Sequence, residues 1–233
     1  MRIMAIGAHP DDLELLCGGT LARCAVRGDH VVMAHACRGD KGHTEILPGQ
    51  LAEVRDREAA AAAKVIGAES MCLGFEDGEI YVNDEAARRF ADGIRIARPD
   101  LIITHDPADY HGDHNAVTRL VITASFMASV PHYPTYHPAH PIVPPIYLMD
   151  TLAGIGFLPA EYVDITDTMA TKIEAMSQHA SQIGWIKEHH ETDILELIEV
   201  VARFRGLQCG VRYAEGFRCM EAWGRLVTRR LLP

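Results

Sequence analysis

The chain has 233 residues, 48% of them apolar and 23% charged, with a formal net charge of −10 at pH 7. That is the composition of one ordinary globular domain spanning residues 1–233, with enough apolar surface for a sizeable core. The acidic balance repels polyanions and no basic run offsets it, which excludes nucleic acid as a partner.

The opening MRIMAIGAHPDD carries one positive charge and a short apolar run before two carboxylates. It fits neither a signal peptide nor a membrane span, so a cytoplasmic protein is expected. The six cysteines form no C-x-x-C pair. In a reducing compartment they read as small buried apolar side chains.

Taken in order, residues 1–8 form an apolar strand and residues 13–27 an amphipathic helix, in which Gly18 and Gly19 suggest close packing against a strand. Residues 31–36 are a second strand, and the alanine-rich segment 50–66 is a helix stopped by Gly67. A third strand covers 70–75, and a helix capped by Asp84 covers 84–97, with Pro99 beyond it. The run DLIITH at 100–105 is a buried strand, followed by a helix over 115–129. Residues 130–145 are proline-rich and read as a long surface loop, either a lid over a site or a packed connector. Residues 146–151 are another strand, and segments 166–188 and 192–205 are two helices with Thr166 and Thr192 at their caps.

Strands alternating with helices predict an α/β fold, a mostly parallel sheet covered on both faces. In such sheets the site lies at the carboxyl ends of the strands. Two strands end in unusual polar sequences, AHPDD at Ala8 to Asp12 and DPADYHGDH at Asp106 to His114, and both should open onto one crevice.

Adjacent carboxylates at a buried strand end are costly unless a cation or hydrogen bonds compensate them. A metal ion is a natural compensation, and one turn can bring His9 and Asp12 to the same ion. For one of Asp11 and Asp12, capping of the following helix is the competing account. His111 and His114 lie three residues apart on the second loop, and His114 is the candidate third ligand. Two histidines, a carboxylate and an open position are the arrangement of a catalytic zinc site, with Fe(II), Co(II) or Ni(II) as other ions such donors accept. Asp109 or Asp113 is the candidate partner orienting His111. Arg55 and Glu58 on the helix 50–66 are either a surface ion pair or, if the arginine reaches the crevice, a functional one.

The AHPDD motif resembles the signature of the LmbE-like (PIG-L) de-N-acetylases. Further blocks follow in the family's order: RGDKG at 38–42, Arg55 with Glu58, LGFEDG at 73–78, RPDLIITHDPADYHGDH at 98–114, HASQ at 179–182 and YAEGFR at 213–218. The resemblance covers nearly the whole chain, and its first block and the block at 98–114 are specific together.

It implies a Rossmann-like three-layer fold and zinc-dependent removal of an N-acetyl group from a small glucosamine-containing molecule. His9, Asp12 and His114 would hold zinc and Asp11 would be the general base. His111, as an imidazolium, would stabilise the oxyanion or donate a proton. Arg55, and with it Tyr110, would contact substrate. An amidase acting on another small amide, such as a thiol-sugar conjugate, would use the same site. The chain departs from the family's common pattern at Gly112, Ala180 and Leu13, which touches no implied ligand or base. The sequence sets no oligomeric state; the proline-rich loop and the final helices are the candidate surfaces for a homo-oligomer.

Overall fold

The computed structural model describes residues 1–228 and 230–233, with residue 190 as backbone only. Fourteen elements alternate along the chain: β1 (Arg2–Gly7), α1 (Asp12–Val26), β2 (His30–Cys37), α2 (Pro48–Ile66), β3 (Glu69–Phe75), α3 (Asp84–Ala97), β4 (Leu101–Thr104), α4 (Gly112–Met127), β5 (Ile146–Met149), β6 (Glu161–Asp164), α5 (Met169–Ser177), α6 (Ala180–His190), α7 (Ile194–Cys209) and β7 (Ala214–Cys219). They build one seven-stranded sheet in the order β3-β2-β1-β4-β5-β7-β6. The first five strands in that order are mutually parallel, and β7 runs antiparallel to both β5 and β6.

Covering both faces explains why the inner strands are apolar throughout. Along β1, Ile3 and Ala5 face a core shared with Leu13 and Leu21 of α1, Ile66 of α2, Met176 of α5 and Ile198 of α7. Met4 and Ile6 face the opposite core, with Phe90 and Ile94 of α3 and Leu120 and Val121 of α4. The alternation is the pleat of the strand expressed as two buried surfaces.

From β1 the chain winds outward to β2 and β3, then crosses back to place β4 on the other side of β1. This reversal is where α/β sheets open a crevice beyond their carboxyl ends. Ile6 pairs with Thr104, so the two strands end level and their loops share that crevice, as the sequence predicts.

Several local expectations differ from the structure. α3 is capped by Asn83, whose side chain accepts from the Ala86 N–H, rather than by Asp84. α4 begins at Gly112, three residues before the predicted start, with His111 as its cap. α7 is capped by Asp193, which accepts from the Leu195 and Glu196 N–H groups, rather than by Thr192. The predicted helix 166–188 is a 3-10 turn (Thr166–Thr168) followed by α5 and α6, because the chain breaks at His179 to bury that ring. β6 and β7 were not predicted: they are short and carry charged residues such as Glu161, Glu215 and Arg218.

The proline-rich segment 130–145 has no helix or strand. Buried Arg95 of α3 donates to the carbonyls of Ala128, Val130, Tyr133 and His137, holding the segment as a packed connector. Among the described residues, none of that segment lines the crevice.

Gly19 would place a Cβ 2.8 Å from Ile165, the residue after β6, so the sequence's close-packing glycine is real and its neighbour is a strand end.

Candidate active site

The loop after β1 folds tightly over its own aspartates. Asp12 Oδ2 accepts from the backbone N–H of His9 (2.7 Å) and lies 3.0 Å from that of Ala8. With one oxygen anchored to backbone, Asp12 reaches His114 Nε2 with the other, Oδ1, at 3.4 Å. His9 Nδ1 lies 3.5 Å from Asp12, and His9 Nε2 lies 3.0 Å from Asp113 Oδ2. Asp11 is the residue under strain: it is not glycine, yet its φ is 117°. Such backbone conformations cost on the order of 1–3 kcal/mol and concentrate at functional sites.

Arg55 reaches this loop from α2. Its Nη2 donates to the Pro10 carbonyl and lies 3.3 Å from Asp11 Oδ2, and the whole residue is 2% exposed. Gly39 (φ +71) makes room for it, since a Cβ there would stand 2.7 Å from the Arg55 side chain. Glu58 does not pair with Arg55; it accepts from the Ser181 N–H and hydroxyl.

The loop after β4 supplies the other half. Asp109 accepts from the His111 N–H through Oδ1, and its Oδ2 lies 3.1 Å from His114 Nδ1. His111 caps α4 by accepting the Asp113 N–H at Nδ1. Neither aspartate orients the His111 ring through a carboxylate, as the sequence reading had it. Asp109 serves His114 and Asp113 serves His9. His105 stacks on His114 with ring centroids 3.8 Å apart, while its Nε2 lies 3.0 Å from the Ala8 N–H.

Charge at this site is one-sided. Burial opposes the imidazolium of His9, but Asp113 and Asp12 outweigh it and push its pKa up to about 10. Burial likewise opposes the charged form of His114, and Asp12 and Asp109 raise it to about 9. Both rings therefore sit where positive charge is strongly favoured. Burial lifts Asp11 to about 6 against the pull of Arg55. Burial also acts on Asp12, yet His114 and His105 hold its carboxyl well below the usual range. Burial, then His114 and His9, lowers His111. Its Nδ1 accepts the Asp113 N–H, and together with that lowering this favours the neutral ring over the imidazolium.

Donor atoms suited to a metal cluster here. His9, His111 and His114 form one group and Asp12, His105 and His114 another, with the donor atoms of each group within 4.8 Å of one another. Of the residues expected at the site, His9, Asp11, Asp12, Arg55, Tyr110, His111, Asp113 and His114 all line one crevice of about 770 Å³. Asp109 stands behind His114, and Tyr110 is at the rim, 76% exposed.

Residues 4–125 match the PIG-L family, described as GlcNAc-PI de-N-acetylase. The chain belongs to the PIG-L family. Diacetylchitobiose deacetylase of Thermococcus kodakarensis is 29% identical over 231 residues, covering 93% of this chain and 82% of that protein. The solved N,N'-diacetylchitobiose deacetylase of Pyrococcus horikoshii, complexed with its inhibitor MPG, superposes with a TM-score of 0.81 at 28% identity, over 94% of this chain and 83% of that one. The 4-oxalmesaconate hydratase of Pseudomonas putida is 25% identical over 237 residues, covering 92% of this chain and 87% of that protein.

This PIG-L chain also uses residues to which the sequence gives no role, although His179 lies in the HASQ block and Asp77 in LGFEDG. Glu14 and His179 are fully buried with Oε1 and Nε2 3.1 Å apart. Asp77 enters from the loop after β3 and accepts the Gly39 and Lys41 N–H groups. A carboxylate between apolar residues in the first turn of α1 was the available signal for Glu14.

Proposed function

We propose that this chain is a metal-dependent deacetylase that hydrolyses the N-acetyl group of a small, glucosamine-containing molecule to acetate and a free amine. The observation that carries this reading is the buried, strained Asp11, free of the His/Asp cluster's mutual contacts yet at its edge. It supplies a base beside a cation site, which is what amide hydrolysis by water needs.

The donor set fits a divalent ion. His9 and His114 are each backed by a carboxylate, which fixes their tautomers as ligand-supporting partners do. His105 Nε2 is already engaged between the Ala8 N–H and Asp12 Oδ2, and His111 Nδ1 accepts the Asp113 N–H, which supports His9, Asp12 and His114 as the ligands. Two imidazoles and one carboxylate suit Zn2+, and we assign that ion. When bound there it supplies Lewis acidity to an amide carbonyl and to water.

The chain's own groups do the rest. Asp11 accepts the proton of a water as that water adds to the carbonyl carbon, and its pKa of about 6 leaves it ionised at neutral pH. Arg55 holds Asp11 Oδ2, leaving Oδ1 for that water. The His111 Nε2–H donates to the carbonyl oxygen as negative charge gathers on it, an effect of about 3 kcal/mol for a well-placed donor. Asp11 then returns the proton to the nitrogen as the C–N bond breaks.

Six unpaired thiols support a reducing, cytoplasmic compartment. No described helix is long and apolar enough to cross a membrane. The outward stripe Val200, Phe204 and Leu207 of α7 supports self-association, which light scattering would measure.

The direct test is acetate release from N-acetylglucosamine, its disaccharide and its inositol conjugate by metal-stripped protein, with and without added zinc. Zinc-dependent acetate is expected. One equivalent of bound zinc with no acetate would move the reaction to another amide, such as a thiol-sugar conjugate.

A further inference from the structure

The crevice has two unlike walls. One is polar, carrying Lys41, Asp77 and Tyr110. The other is mainly apolar and is assembled from three separate elements, Leu15 and Leu16 of α1, Trp185 and Ile186 of α6, and Ile194 and Leu197 of α7, with Gln182 and Thr192 as the polar side chains among them. The wall starts at the chemistry itself. The Leu15 N–H bonds the Asp11 carbonyl, so Leu15 lies one helical turn, about 5 Å, beyond the base. Leu15, Ile186 and Leu197 are only partly buried against the core behind them, so their remaining surface faces the cavity.

An acetamide leaves most of a 770 Å³ cavity unfilled. That volume suits a whole small molecule, since ligand pockets run to about 300–1,000 Å³. Sugar hydroxyls have partners on the polar wall, whereas branched aliphatic side chains offer a sugar nothing to hydrogen-bond. They match an alkyl or aryl group.

We infer that the preferred substrate is amphiphilic, an amide whose polar part faces Lys41, Asp77 and Tyr110 and whose alkyl or aryl group lies along Leu15, Leu16, Ile186, Ile194 and Leu197. The inference rests on the deacetylase reading for where the amide sits. The apolar group is attached on the amine side, as an aglycone, or on the acyl side, as a longer acyl chain.

Two substrate series separate these attachments. One is methyl, butyl and hexyl glycosides of N-acetylglucosamine; the other is N-acetyl, N-butanoyl and N-hexanoyl glucosamine. Freed amine is measured with the zinc-loaded enzyme. Each buried methylene tightens binding by up to about fourfold, so kcat/KM is expected to rise at least about tenfold along one series. The double variant Ile186→Asn/Leu197→Asn should flatten that rise, while Leu197→Ile should keep it.

Binding is read independently of catalysis by tryptophan emission. Trp185 lines the crevice and Trp223 is fully exposed, so a Trp223→Phe background leaves one reporter. A blue shift of Trp185 that grows with chain length, in protein that turns over none of these compounds, would sustain the apolar wall and remove the deacetylase reading. Equal turnover across both series with no emission shift would overturn the inference and leave the deacetylase reading standing.

Discussion

Two buried charge clusters touch α1, one at its N-terminus and one against its middle, and they are built on opposite principles. At the middle, Glu215 of β7 meets Lys172 of α5, both nearly inaccessible. The Glu215 oxygens also accept the Gly19 and Thr20 N–H groups, and Lys172 Nζ donates to the Leu15 carbonyl. One carboxylate faces one ammonium and the remaining valences go to backbone, so that cluster is closed. At the N-terminus, Asp11 pairs with Arg55, while Asp12, Asp109 and Asp113 pair with histidines, and the imbalance falls on His9 and His114. A closed cluster holds a fold together; an open one holds something else. The left-handed backbone of Asp11 lies at the open one, where strain has a use.

The strongest attempt to break this contrast is Asp11→Asn. Asp11 bears the proton but makes none of the proposed ligand contacts, so the variant should keep its zinc while kcat falls about 10²–10⁴-fold. The sign of the pH dependence follows from the same group. A base works deprotonated, so wild-type kcat/KM should fall as pH drops through about 6. That acid limb should vanish from whatever activity Asp11→Asn retains. Zinc analysis with a pH–rate profile decides it, and a variant that turns over at the wild-type rate removes Asp11 from the chemistry.

At the closed cluster the expected loss is of stability. Lys172→Met strands the Glu215 carboxylate, and breaking a buried pair from one side costs about 3–5 kcal/mol. Urea denaturation should show that loss, with unchanged zinc content and kcat in the folded fraction. Adding Glu215→Gln should restore part of the stability. A drop in zinc content in Lys172→Met would mean that the two clusters are coupled through α1, and the division drawn here would fail.

The same division explains what the sequence disclosed. Polar residues at the ends of β1 and β4 announced the open cluster, because strand order and the rule for parallel sheets bring those two loops together without knowledge of any side-chain contact. Helix α3 matched its predicted span over 84–97 because its amphipathic pattern is local. The closed pair was invisible, since Lys172 and Glu215 are 43 residues apart and each looks like a surface charge. His179 stood in the sequence only as the first residue of HASQ; its role comes from the fold, where the chain breaks its helix to set the ring against Glu14. The roles of Asp109 and Asp113 were legible as a pair and misassigned in detail, because spacing along a loop does not say which ring each carboxylate faces.

Asp109→Asn sharpens the contrast most finely. The amide retains an oxygen to accept the His111 N–H, so the start of α4 survives. What it loses is the negative charge 3.1 Å from His114 Nδ1. That charge holds the proton on Nδ1, which leaves Nε2, 3.4 Å from Asp12 Oδ1, as the nitrogen that can bind a metal. Zinc affinity, measured by competition with a chromophoric chelator, should therefore weaken about 10–100-fold, a loss larger than any shift in the urea midpoint of the zinc-free protein. A fall in that midpoint with full zinc affinity would make Asp109 a part of the scaffold. The expected pattern makes it a part of the open cluster, acting on the metal through His114 without touching it.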